Sequence, residues 1–98
     1  MNHYYEQYHQ IAKDFGLDVN SYVCTLPGIH PSDCVMKYDG QKHRIYCADH
    51  LGFGLGYICC FGLEELRPKL ARKRIAELVE QYKQLNIQKK LNKMKEDF

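Results

Sequence analysis

The sequence predicts an α+β fold: an N-terminal helix, a three- or four-stranded antiparallel sheet containing a hairpin over 38–41, and a long C-terminal helix, in the order α-β-β-β-α. Three observations carry this. Tyr4, Tyr8, Ile11 and Phe15 recur with the period of one helical face. Asp39-Gly40 separates two runs of β-formers. Leu66 to Phe98 is long, charged and opened by a proline.

The first helix is expected over residues 3 to 15, with Glu6, Gln7, Gln10, Lys13 and Asp14 off the apolar stripe. Gly16 can take the left-handed conformation that ends it, and Leu17 can fold back onto the last turn. Tyr5 lies off the stripe and should be exposed. Asp18-Val19-Asn20 reads as a turn and Ser21 to Leu26 as a strand. Two prolines and a glycine between Pro27 and Asp33 interrupt regular structure.

Cys34 to Tyr38 and Gln41 to Cys47 then form the hairpin, with a type I′ turn at Asp39-Gly40 that pairs Tyr38 with Gln41. That register puts Cys34, Met36, Tyr38, His43, Ile45 and Cys47 on a core face, and Val35, Lys37, Lys42, Arg44 and Tyr46 on a basic one. Gly52-Phe53-Gly54-Leu55-Gly56 reads as a loop. It lacks the spacing and the following helix of a phosphate-cradling motif. Tyr57 to Phe61 is a further strand beside the hairpin, and Gly62 to Leu66 a short turn.

The last helix opens at Pro68, where a missing N–H costs nothing. Ile75, Leu78, Val79, Tyr82 and Leu85 make one stripe, and Ile87, Leu91, Met94 and Phe98 make a second. At 100° per residue the two are about 150° apart, so one straight helix cannot bury both against the same core. Either the helix breaks near Asn86 and folds back, or the second stripe meets another molecule, most simply a twin chain. Residues 1–85 are therefore read as a single compact domain and 86–98 as a helical dimerisation or partner-binding tail.

The 98 residues suffice for one modest core, and the 45% hydrophobic and 12% aromatic content argues against disorder. The N-terminus has no signal-peptide pattern and no apolar run approaches the roughly 18 residues of a membrane span, so a cytoplasmic protein is expected. Five cysteines, an odd number, read as thiols. Charge is unevenly spread: Leu66 to Phe98 carries ten Lys/Arg and four acids, a formal +6, against −4 for the rest. Arg67, Lys69, Arg72, Lys73 and Arg74 cluster at the helix end whose unpaired N–H groups are already positive, which suits phosphate. Lys37, Lys42 and Arg44 would extend that anion-binding surface.

Phe15-Gly16-Leu17, Tyr22, Pro27-Gly28-Ile29-His30 and Pro68-Lys69-Leu70-Ala71-Arg72-Lys73-Arg74, in this order of elements, loosely resemble a double-stranded-RNA-binding domain. The resemblance implies that the first helix and the first strand-to-strand loop touch minor grooves while the basic start of the last helix touches phosphates. Gly52 to Arg67 is a long insertion relative to that pattern.

Cys47 and His50 stand at ligand spacing, and Cys34 shares the predicted sheet face with Cys47, a weak zinc signal amounting to half a site. Small buried thiols explain these residues more simply. Cys47, Asp49 and His50 are too close along a strand end for triad geometry. With no paired-carboxylate or Walker-type feature, the expectation is a non-enzymatic protein without a cofactor. It would bind nucleic acid, RNA or DNA. Alternatively it is a protein-interaction or inhibitor protein, such as a phage- or plasmid-type regulator or anti-defence inhibitor, that meets an acidic protein surface and forms a homodimer.

Overall fold

A computed structural model describes residues 3–27, 29, 33–54 and 57–96, with side chains except those of His3 and 92–96. Helix α1 spans His3–Asp14. Its end is a Schellman motif: the Leu17 N–H donates to the Ala12 carbonyl at 2.9 Å, the Gly16 N–H to Lys13 at 3.3 Å, and Gly16 has φ 66°. Leu17 is thereby buried against the core.

Strands β1 (Asp18–Asn20), β2 (Val23–Thr25), β3 (Met36–Asp39) and β4 (Arg44–Cys47) follow. β5 (His50–Gly54), β6 (Tyr57–Phe61) and β7 (Glu64–Leu66) lead into α2 (Pro68–Glu96). Five strands form one antiparallel sheet in the order β1-β2-β3-β4-β7, while β5 and β6 pair only with each other. The α+β order expected from sequence is present, with more strands than expected.

Several local expectations are corrected. Asp18–Asn20 is a strand, because Ser21 takes φ 58° and lets a two-residue turn join it to β2, which shortens the predicted 21–26 strand. The 38–41 hairpin exists with a longer loop: Asp39 pairs with Arg44, and Gly40 to His43 form the connection. The Asp39 carboxylate accepts the Gln41 and Lys42 N–H groups at 2.9 and 3.1 Å, and His43 takes φ 54°. Tyr38 consequently faces Ile45. The register differs from the predicted one by an even number of residues, so the faces are kept. Met36, Tyr38, Ile45 and Cys47 are buried and Lys37 and Arg44 exposed. His43 leaves the core face for the loop, where its Nδ1 lies 3.0 Å from the Tyr38 hydroxyl. Val35, assigned to the basic face, is buried because it precedes β3 and its backbone bonds Cys24 and Ala48.

Of the expected glycine loop, Gly52 to Gly54 belong to β5, and Leu55 and Gly56 lie outside the described residues. Leu51 and Phe53 point to one side of β5, while Gly52 and Gly54 leave the other side bare. A Cβ on Gly52 would meet Phe61 at 3.1 Å, so glycine lets that ring lie across the strand and stack on His50, 5.3 Å away at 12°. β6 therefore joins this arm, and β7, expected as a turn, takes the place beside β4.

Both helices pack on one face of the sheet. Tyr8, Ile11 and Ala12 from α1 and Ala71, Ile75 and Leu78 from α2 meet Cys24, Met36, Ile45 and Cys47. Leu51 and Ile58 of the arm close the same core over α2. The Cys24 thiol donates to the Tyr8 hydroxyl at 3.1 Å, and among the described residues no buried side-chain polar atom lacks a partner. α2 is unbroken at Asn86. Its 29 residues span about 43 Å, which accounts for a molecule of 57 × 20 × 19 Å.

Candidate functional site

β7 delivers the chain to α2 by pairing Leu66 with Ile45. Arg67 comes next, and its carbonyl accepts the Ala71 N–H at 2.8 Å, which makes it the residue before the first helical turn. Arginine has no acceptor with which to cap the helix, Pro68 has no N–H, and the first turn contains no acid. Among the described residues no side chain caps this end. The Lys69 and Leu70 N–H groups and the helix dipole therefore face the surface beside Arg67, Lys69 and Lys73, all exposed and without an ion pair among the described residues.

Arg67 and Arg44 line one cleft of ≈ 390 Å³, with Tyr4, Glu65 and Leu66. Arg44 reaches it from the first residue of β4, its guanidinium carbon 6.0 Å from the Tyr4 ring centroid and its Nε 2.9 Å from Glu65. Both partners of that ion pair are half exposed. Lys42, in the β3–β4 loop two residues before Arg44, is exposed.

The other predicted cations are elsewhere or already engaged. Arg74 is the most engaged. It is 20% exposed, donates to the Ala48 carbonyl at 3.1 Å and to Glu64 at 3.0 Å, and lies 3.9 Å from both Asp49 and Glu77. It ties β7 and the β4–β5 link to α2, and Glu64 foremost, then Asp49, raise its pKa further. Arg72 donates to Asp14 at 2.8 Å, joining the two helices and lowering the pKa of that carboxyl. Lys37 is exposed on the sheet face away from the helices, in register with Val23 and Tyr46. The eight predicted cations are thus not one patch; Arg67 and Arg44 share a cleft, and Lys69 and Lys73 are exposed on the first turns of α2.

At the far end of α2, Ile87 and Leu91 are 52% and 53% exposed, whereas Leu85 still packs on the core. The side chains of Met94 and Phe98 lie outside the described residues. Sequence reading missed a groove of ≈ 500 Å³ between the arm and α2, floored by Leu51 and Leu85 and edged by Glu77 and Glu80. Part of its polar wall is bonded within the chain: Gln81 Oε1 accepts the Leu51 N–H at 2.9 Å, and Gln84 Nε2 donates to Glu80 at 3.3 Å. The signal for this face was the i, i+4, i+7, i+11 column Glu80, Gln84, Ile87, Leu91, which continues the tail stripe toward the body.

The metal candidates are not brought together. Cys47 is fully buried in the core, His50 is exposed with its Nδ1 2.9 Å from Asp49, and Cys34 precedes β3. No group of three metal-ligating side chains occurs among the described residues. Burial pushes the Cys47 thiol up to about 12 and the Cys24 thiol up to about 11, the opposite of what a nucleophile needs. Among the described residues no helix is long and apolar enough to cross a membrane. No protein-family model, curated protein or solved structure matches the chain.

Proposed function

We propose that this is a non-enzymatic binding protein that contacts nucleic-acid phosphates through the start of α2. The observation that carries the reading is Arg44 and Arg67 sharing one cleft beside a helix end without a cap or a first-turn acid. Guanidinium groups bind phosphate oxygens in pairs, and helix N–H groups add donors of the same polarity. Lys69 and Lys73 extend the positive surface along α2. The Arg44–Glu65 pair is half exposed and worth at most about 1 kcal/mol, so a phosphate can displace the carboxylate. Tyr5 and Tyr22, 40% and 51% exposed with ring centroids 6.4 Å apart, supply aromatic faces near the start of α1 for unpaired bases. The reduced thiols fit a cytoplasmic setting.

Binding of duplex RNA, duplex DNA and single strands, followed by fluorescence anisotropy across a salt series, tests this. Arg67→Ala, Lys69→Ala and Lys73→Ala together should reduce the slope of log affinity against log salt by about 2 to 3. Absence of binding near 50 mM salt, a salt range in which phosphate contacts hold best, ends the proposal.

A second reading, a regulator or inhibitor with an acidic protein target, is favoured by the half-exposed Ile87 and Leu91 among tail lysines. Pull-down from source cells with and without nuclease separates a protein target from a nucleic-acid bridge.

A further inference from the structure

We infer that the apolar tail of α2 docks into the groove between α2 and the β5–β6 arm of a second copy of this chain, in an antiparallel twofold pairing centred near Gln84. Tail and groove lie on one side of one helix. At 100° per residue Glu77, Glu80, Gln81, Gln84, Ile87 and Leu91 fall within a sector of about 120°. The core stripe of Ala71, Ile75, Leu78 and Tyr82 occupies the other side.

The two halves of this face are complementary. Toward the body it is an apolar groove of ≈ 500 Å³ edged by Glu77 and Glu80. Toward the end it is a pair of half-exposed aliphatic side chains, Ile87 and Leu91, beside exposed Lys90. Groove and tail stand at matching distances on either side of Gln84. A twofold axis there sets Ile87 of one copy opposite Gln81 of the other, Leu91 opposite Glu77, and Lys90 near Glu80. Each contact is then made twice, as an isologous interface requires. Parallel pairing would instead put the lysines of the two tails side by side, and like charges repel.

The occupant is a second copy because one helix presents both the groove and what fills it, with opposite charge at the rims. Two aliphatic side chains suit the groove's size and its Leu51 and Leu85 floor. Among the described residues, Ile87 and Leu91 are not covered by the core.

Sedimentation velocity of the full chain over a concentration series tests this independently of nucleic acid. A dimer is expected. Ile87→Glu with Leu91→Glu should shift it to monomer, with tyrosine fluorescence of the core unchanged. Glu80→Lys should weaken the dimer at least tenfold, and Lys90→Glu added to Glu80→Lys should recover most of that loss. A chain that stays monomeric at the highest attainable concentration overturns the inference. So does a dimer indifferent to the double glutamate variant, a charge swap that fails to restore association, or tails taken up by an acidic peptide while the chain remains monomeric.

Discussion

The two parts of α2 on either side of Asn86 share one backbone and little else. From Pro68 to Leu85 the helix is held by Ala71, Ile75 and Leu78, all fully buried, and by Arg74 bridging to two other segments. Past Asn86, Ile87 and Leu91 stand half in solvent. Helical hydrogen bonding continues regardless, because Gln, Lys, Leu and Met all favour helix. Which partner a turn meets is decided by the phase of its apolar residues. An isolated helix as short as this tail is marginal in water, so the packed part supplies the nucleus from which it extends.

Truncating one leucine in each part should separate them most. Leu78→Ala should cost about 2–5 kcal/mol, by lost burial and a cavity. Leu91→Ala should change monomer stability by less than about 0.5 kcal/mol, the range of exposed sites. Urea unfolding at low protein concentration measures both; equal costs would mean the tail is packed within the chain.

Arg74→Ala comes next, at about 1–2 kcal/mol, since it leaves the Ala48 carbonyl and Glu64 without their donor. If Arg74 were part of the anion surface, its loss would lower phosphate affinity and leave stability alone. Lys69→Glu carries the opposite sign. An acid in the uncapped first turn should stabilise the fold by about 0.3–1 kcal/mol while weakening phosphate binding, a trade expected of a binding residue and not of a structural one.

Stability should also depend on pH. Hydrogen bonds from Arg72 to Asp14, from the Lys42 and Gln41 N–H groups to Asp39, and from His50 to Asp49 hold these carboxyls below their ordinary 3.8. Their stabilisation is complete above that value and is lost as pH falls through the lowered ones. At the other limit, burial raises Cys24 to about 11 and Cys47 and Cys60 to about 12 from 9.0, so stability should decline as pH rises from 9 toward 12. Thermal midpoints across pH should fall at both ends.

Helix positions were legible because they rest on period and punctuation within a dozen residues. Tyr8, Ile11, Gly16 and Pro68 play the parts their spacing implied. The sheet was harder, since strand partners are set by loops whose geometry is local. Asp39 uses its own side chain to stretch the hairpin loop, and Ser21 enters a left-handed conformation that nothing in its type demands. The β5 strand carried a readable signal in the strict alternation of Leu51, Gly52, Phe53 and Gly54, a strand period masked by glycine's reputation as a loop residue. The basic cluster was visible as charge, but its division was not. Whether Arg74 or Arg44 is open to a ligand depends on which acids the sheet brings beside them, Glu64 and Glu65 on β7.

The continuity of α2 makes it a ruler. With no break at Asn86, the Arg67 cleft and the Leu91 ridge are held at one separation and one rotational phase, so neither can be reoriented without bending a helix. In a pair joined about Gln84, the two clefts would lie roughly 50 Å apart at opposite ends of the assembly, counting 1.5 Å per residue. That spacing exceeds the roughly 35 Å of one duplex turn. A dimer of this kind would favour an extended or bent nucleic acid, or two separate ones, over two successive grooves of a straight duplex.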